Sequence, residues 1–218
     1  MKWNANIILL SCLISVSACQ KEEYYYPSVL TEFVDIETNS TGRLSFINRD
    51  NGENYEIAER SGLEGFAHDS IYRAVSIFEP IKDTNDNITA KLYSCKLITS
   101  VIPSTEDKFT NGIKTDPLNI DRIWHSGDYI NMILEIMAKD KPHGLNFIEN
   151  EITEDADGSK TLYLTVYHNQ NGDYEAFTKK VYASIPLWPY RNVLSEGDKV
   201  IVNINTYKEG KTKREFYF

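Results

Sequence analysis

Apolar and polar side chains alternate with a period of two along the second half of the chain. Three segments each present one apolar strand face: Ile130, Met132, Leu134 and Ile136; Leu162, Leu164 and Val166; Val200, Val202 and Ile204. A single apolar face is typical of strands in antiparallel sheets that pack on one side. Turn signals such as Asn171-Gly172-Asp173 separate the segments, and roughly seven strands in a hundred residues suit a β-sandwich. We therefore predict an antiparallel β-sandwich over residues 116–218.

The first half also carries strand patterns and has no convincing long helix. Five segments are rich in strand-forming residues: 28–36, 43–48, 55–58, 71–79 and 90–99. Asp50-Asn51-Gly52 is a strong hairpin signal between the second and third segments, because Asn and Gly tolerate positive φ. About five strands in this length suit a small barrel of the OB type, which we predict over residues 28–103. The predicted fold class is all-β, a small OB-type barrel followed by the sandwich.

The strand patterning stops between Pro103 and Pro117. This stretch is rich in Ser, Thr, Asp, Asn and Gly, which favour loops, and it has little periodicity. We therefore predict a linker over residues 104–115 that separates two β cores.

The N-terminus resembles the signal of a bacterial lipoprotein. Lys2 gives a positive start, and the apolar core that follows is shorter than the roughly 20 residues of a spanning helix. Val16-Ser17-Ala18-Cys19 resembles a lipobox. We expect residues 1–18 to be a signal peptide, Cys19 to carry the lipid and residues 19–27 to form a tether. The alternative is an ordinary signal peptide followed by a chance cysteine.

The residues after the expected lipidation site suggest where the protein is displayed. Gln20, Lys21, Glu22 and Glu23 resemble the export signal of surface lipoproteins in Bacteroidota. This resemblance implies an outer-membrane lipoprotein that faces the cell surface. If the four residues are a solvated spacer alone, the periplasmic face is the alternative.

The charge of the chain limits its partners. The formal net charge is −9 at pH 7, and no run of basic residues is present. Affinity for a phosphate backbone comes from clustered Lys and Arg, so we expect no nucleic-acid partner. We expect the N-terminal lipid to hold the chain on the membrane, and an envelope protein or a glycan to be the partner of the folded part.

The three cysteines exclude an internal disulfide in the mature chain. Cys12 leaves with the signal peptide and Cys19 carries the lipid, so Cys95 has no partner. Strict alternation places Cys95 on the same strand face as Tyr93 and Leu97. We interpret Cys95 as a small buried hydrophobic residue, since nothing nearby would activate a catalytic thiol.

No motif in the sequence carries recognisable chemistry. The four histidines lack metal-ligand spacing, so turn or surface positions are the default: His68, His125, His143 and His168. Asp155-Ala156-Asp157-Gly158 and the segment 83–87 hint at calcium loops but lack essential ligands or the glycine, so we interpret both as turns. No nucleophile elbow or phosphate loop occurs. We therefore assign no catalytic residue, no metal and no cofactor.

Several short motifs resemble one known family. They include Ser184-Ile185-Pro186-Leu187-Trp188, Ser126-Gly127-Asp128-Tyr129, and Tyr26-Pro27-Ser28-Val29. The mature chain is similar over nearly its whole length to the NigD-like lipoproteins. This resemblance implies an OB-like domain, then a β-sandwich, on a lipid anchor. The family is named for an association with a bacteriocin gene cluster, and it has no agreed catalytic residues to transfer.

Two functions of different classes are compatible with these observations. The first is a non-enzymatic binding or accessory module on the cell surface, which a concave aromatic cleft would favour. The second is a structural or assembly partner of another envelope protein, which an exposed apolar patch would favour and which the resemblance associates with bacteriocins. A surface hydrolase is the third, and it would need a deep pocket with two or more perturbed titratable groups.

Overall fold

Five strands in the first half of the chain close into a barrel. The computed structural model describes residues 26–218. The strand order around the barrel is β1-β2-β3-β5-β4. The strands are β1 (Leu30–Thr38), β2 (Leu44–Arg49), β3 (Asn54–Ile57), β4 (Ile71–Lys82) and β5 (Ile88–Leu97). All five predicted strands are therefore present, and the sheet closes as an OB-type barrel requires.

The barrel core follows from the alternation along each strand. Inward positions are apolar and fully buried, as at Ile36, Ile47 and Phe78. The predicted hairpin between β2 and β3 is confirmed, because Gly52 has a φ of +88° and its N–H donates to the Arg49 carbonyl at 3.0 Å. Glycine reaches this left-handed conformation without steric cost.

Eight strands of the second half form two facing sheets. The five-stranded sheet has the order β13-β12-β10-β9-β6, and the three-stranded sheet has the order β11-β8-β7. Pairing is antiparallel except between β10 and β12 and between β6 and β9. The strands are β6 (Ser104–Thr105), β7 (Asn119–Ser126), β8 (Tyr129–Ala138), β9 (Gly144–Glu154), β10 (Lys160–Asn169), β11 (Phe177–Pro186), β12 (Lys199–Thr206) and β13 (Gly210–Tyr217).

The sandwich core consists of the apolar faces read from the sequence. All the residues of the three predicted faces, on β8, β10 and β12, are at most 6% exposed and belong to one cluster. Phe147 of β9 and Ile185 of β11 lie in the same core and are fully buried. The predicted all-β fold, a barrel followed by a sandwich, is confirmed.

The segment predicted to be a linker lies along the sandwich instead of standing between two cores. The Ser184 N–H donates to the Thr99 carbonyl at 2.9 Å, only two residues after β5 ends. Ser104 and Thr105 then form β6 beside β9, and Thr115 bridges to His168. These contacts use backbone groups, so the polar composition that suggested a free linker gives no sign of them.

The position of Cys95 differs from the one that strict alternation predicts. Ile77 pairs with Ser94 but Phe78 pairs with Leu92, so Tyr93 is an extra residue in β5. Such a bulge reverses the facing of the residues that follow. Cys95 therefore packs against the barrel core while Tyr93 is exposed, and burial raises the pKa of the Cys95 thiol.

No helix within residues 26–218 is long and apolar enough to cross a bilayer.

Candidate ligand-binding cleft between the domains

The lipidation and export predictions concern residues outside the part of the chain that the structure describes. Cys19 and the four residues from Gln20 to Glu23 precede residue 26, so both assignments stay predictions. Within the described residues, the candidate site lies at the contact between barrel and sandwich.

The barrel docks with its outer surface on the outer face of the three-stranded sheet. Cross-strand neighbours supply each side of the contact. On the barrel they are Phe33 beside Val75 and Asp35 beside Arg73. On the sheet they are the row Arg122, Ile133 and Tyr182 and the row Trp124, Asn131 and Ser184. These side chains occupy the outward positions of their strands, opposite the two cores.

Arg73 is the polar centre of this contact. Its side chain is 2% exposed. Its two terminal nitrogens bind the Asp50 carboxylate at 2.7 and 2.8 Å, and Nη2 also donates to Asn131 Oδ1 at 2.9 Å. Nε donates to Ser184 Oγ at 3.3 Å, and the guanidinium lies 3.8 Å from the centroid of the Tyr129 ring. One barrel side chain therefore binds three residues of the sandwich.

Two side chains near Arg73 have raised pKa values. Burial raises the pKa of Asp35, and the charge of Arg73 opposes this shift. Burial, followed by the negative charge of Asp35, raises the pKa of Tyr129, whose hydroxyl donates to Asp35 Oδ2 at 3.1 Å. Both perturbations therefore arise within the ion-pair network that joins the two domains.

An aromatic cluster lies beside this network. The Phe33 and Trp124 rings meet edge to face, with centroids 5.0 Å apart, and Phe33 lies 6.1 Å from Tyr182. Two cations flank the cluster: the Arg122 guanidinium is 5.7 Å from the Trp124 ring and Lys96 Nζ is 4.9 Å from the Tyr182 ring. Aromatic rings of both domains and two positive charges thus meet at one edge of the contact.

A cleft of about 430 Å³ opens between the domains at this edge, which is within the size range of small-molecule sites. Its barrel wall includes Thr31, Glu32, Phe33 and Val75. Its sandwich wall includes Arg122, Trp124, Ser126, Ile133 and Tyr182. The cleft is concave and aromatic, the feature expected of a binding module.

The charges that line this cleft are paired, with one exception. Glu32 binds Arg49 through two contacts of 2.7 Å, and Asp50 binds Arg73. Arg122 is exposed, makes no ion pair within residues 26–218, and lies with its guanidinium near the Trp124 ring. The cleft therefore presents an unpaired guanidinium beside an aromatic wall.

Two other depressions lack this combination. A cleft of about 450 Å³ on the other side of Arg73 contains Trp188 and Arg191, but Arg191 forms an ion pair with Asp128. A groove of about 630 Å³ on the sandwich is lined mainly by Thr, Asn and Lys and contains no aromatic side chain. We therefore take the cleft beside Trp124 as the candidate site.

The histidine assignment is wrong for His168, which is buried on β10, while His143 lies on the loop between β8 and β9 with its side chain buried. His143 Nδ1 lies 2.9 Å from His168 Nε2. His168 Nδ1 contacts the Asp116 carbonyl at 2.9 Å, and His143 Nε2 lies 3.4 Å from Asp173 Oδ2. Burial lowers the pKa of His168, and the neighbouring His143 adds to this shift. Twenty-five residues separate the two histidines, so their spacing could not reveal the pair.

The other two histidines and the two calcium-like segments form no metal site within residues 26–218. His68 and His125 are exposed, and residues 26–218 contain no group of three or more His, Cys, Asp or Glu that could hold a metal ion. The two calcium-like segments are turns, as predicted. Asp157 accepts the N–H and hydroxyl of Ser159, and Asp83 accepts the backbone N–H groups of residues 85 and 87.

Comparison with known proteins agrees with the fold. Residues 100–218 match the model of the NigD-like C-terminal β-sandwich domain. A solved NigD-like immunity protein from Bacteroides caccae ATCC 43185 is 28% identical, has a TM-score of 0.71, and matches over 88% of this chain and 94% of that one. No curated protein sequence matches the chain.

Two more distant solved structures share the fold. One is a protein of unknown function from Bacteroides vulgatus ATCC 8482, with 18% identity, a TM-score of 0.68, and coverage of 88% of this chain and 91% of that one. The other is a candidate lipoprotein from Bacteroides fragilis NCTC 9343, with 11% identity, a TM-score of 0.60, and coverage of 88% and 97%. The family match spans more than half of the chain, which therefore belongs to the NigD-like family.

Proposed function

We propose that this protein is a non-enzymatic binding module of the cell envelope and that the cleft between its domains holds the ligand. The observation that carries the proposal is the unpaired Arg122 beside the aromatic wall formed by Phe33, Trp124 and Tyr182. Sites that combine apolar or aromatic walls with a few polar groups are typical of ligand binding.

The arrangement of the domains supports this role. Both domains contribute to the cleft, and the Arg73 network fixes one domain against the other, so the walls are preformed. A preformed site loses little conformational entropy on binding. The carboxylates at the rim bind arginines, which is compatible with a binding role of the cleft.

We also propose that lipid on Cys19 anchors the module to the outer membrane and that Gln20–Glu23 directs it to the cell surface. The candidate lipoprotein among the solved structures of this fold supports the anchor. Replacing Cys19 with serine should move the protein from the membrane fraction to the soluble fraction, because two or more acyl chains anchor stably and the serine carries none. Membrane fractionation measures this, and a mutant that still pellets with membranes would contradict the anchor.

The binding role can be tested by blocking the cleft. Thr31 is exposed and lines the cleft, so Thr31→Trp should fill it without disturbing either core. Thr84 is exposed on the turn between β4 and β5, and Thr84→Trp is the matched control. The intact lipoprotein should capture a glycan or protein from envelope extracts, and Thr31→Trp should lose it while Thr84→Trp keeps it. Equal capture by both variants would argue against the cleft.

The second candidate is a structural or assembly partner of an envelope protein. The solved relative that is named an immunity protein favours it, at 28% identity over most of both chains. Ile71, Ile102 and Trp188 are exposed beside the second cleft and form an apolar edge there. A captured protein that resists Thr31→Trp but is lost with Ile102→Lys would favour this role over the first.

A further inference from the structure

The side chains that line the candidate cleft also indicate the chemical class of its ligand. We infer that its ligand is a carboxylate-bearing saccharide whose ring packs on Trp124 and Tyr182 and whose carboxylate pairs with Arg122. This inference rests on the proposed function and specifies the ligand class of the same site.

Charge complementarity is the first step. The negative groups at the cleft are neutralised: Glu32 by Arg49 and Asp50 by Arg73. Arg122 makes no ion pair within residues 26–218, so its guanidinium is the charged group of the lining that is left to meet a ligand. An available guanidinium favours an anionic ligand over a neutral or cationic one.

The geometry of the cation suits a carboxylate. A guanidinium presents a planar fork of donors that matches the two oxygens of a carboxylate. The Asp121 carboxylate on the same strand does not compete for Arg122, since it pairs with Lys180 at 2.7 Å. Lys96, 4.9 Å from the Tyr182 ring, adds a second positive charge at the other end of the wall.

The wall selects the remainder of the ligand. Trp124, Tyr182 and Ile133 are partly buried and offer an apolar surface against which the C–H face of a sugar ring can pack. Thr31 and Ser126 also line the cleft, and their hydroxyl groups need hydrogen-bond partners when a ligand displaces water. A saccharide supplies hydroxyl groups for these partners. A fatty acid supplies the carboxylate but leaves the polar groups unpaired.

The experiment uses Trp124 as the reporter. Trp188→Phe in the full chain leaves Trp124 as the one tryptophan within residues 26–218. The probes are digalacturonate and N-acetylneuraminate, each compared with its methyl ester, which keeps the ring and removes the charge. We expect at least one acid to change the Trp124 emission saturably and its ester to bind at least tenfold more weakly.

Two variants locate the effect. Arg122→Gln should weaken binding of the acid at least tenfold and leave the ester unaffected. Arg60→Gln removes the same charge from an exposed arginine outside the cleft and should change neither affinity. Arg122 is exposed, so thermal unfolding of Arg122→Gln should match the parent and exclude misfolding as the cause.

Several results would overturn the inference. They are equal affinity for acid and ester, loss of binding with Arg60→Gln as well, or no response to either acid. If the acids fail while Thr31→Trp still abolishes capture from envelope extracts, the ligand class is wrong and the binding role stands. If Thr31→Trp changes no capture either, the proposed function fails with it.

Discussion

Replacing Arg73 with methionine is expected to destabilise the protein by about 3–5 kcal/mol, the range found when one partner of a buried ion pair is removed. Methionine roughly preserves the length of the apolar stem but leaves the Asp50 carboxylate, 11% exposed, without its cation. Asp35 loses the same partner. Both carboxylates would then lie at the domain contact with much of their hydration removed, which is the origin of the cost.

Urea unfolding followed by circular dichroism measures this loss. Arg60→Met is the matched control, because Arg60 is exposed and forms no ion pair within residues 26–218, so its replacement should cost under about 0.5 kcal/mol. A second variant isolates the cause: Arg73→Met combined with Asp50→Asn should be more stable than Arg73→Met alone, since the buried negative charge is gone. A loss below about 1 kcal/mol for Arg73→Met would mean that the network contributes little.

The close approach of the two domains has a second requirement, at Gly127. Its φ is +54°, and a Cβ there would lie 2.8 Å from the Asp50 carbonyl oxygen of the barrel. The turn between β7 and β8 can therefore lie against the barrel hairpin only because residue 127 has no side chain. Gly127 and Arg73 meet the same residue, Asp50, from opposite domains, so this hairpin is central to the docking.

Much of the fold could be predicted because strand alternation reports which side chains face a core. The predicted faces of β8, β10 and β12 all lie in the sandwich core. Alternation failed at Cys95, where the extra residue Tyr93 changes the facing of the strand. Alternation also did not predict that residues 98–118 attach to the sandwich, because the attachment uses backbone hydrogen bonds that any side chain permits.

The candidate site could not be predicted for a related reason. Arg73, Asn131 and Ser184 occupy outward positions of their strands, which in the sequence look like ordinary solvent-facing residues. Alternation separates outward from inward positions but does not say which outward faces dock on one another. Phe33 and Trp124 are ninety-one residues apart in the chain, and only the docking of the domains brings their rings to 5.0 Å. The buried pair His143 and His168 has a different origin, since the pairing of β9 with β10 inside the sandwich brings these two residues together.

The sandwich core provides the second large expected effect. Phe147 is fully buried on β9, where it lies opposite Val166 of β10 and belongs to the same core cluster. Replacing Phe147 with alanine removes most of a buried ring and leaves a cavity, because neighbouring strands held by backbone hydrogen bonds collapse only in part. The expected loss is about 3–5 kcal/mol of unfolding free energy.

The matched control is Phe177→Ala, which makes the same substitution on β11 of the same sandwich where the ring is 64% exposed. That variant should lose under about 1 kcal/mol, since little apolar surface returns to water. Urea unfolding of both variants measures the difference, and comparable losses would show that Phe147 does not lie in the core. Because Arg73 joins the barrel to this sandwich, the Phe147→Ala transition should stay single and shift as a whole. A separate early transition of the sandwich would mean that the two domains unfold independently despite the network between them.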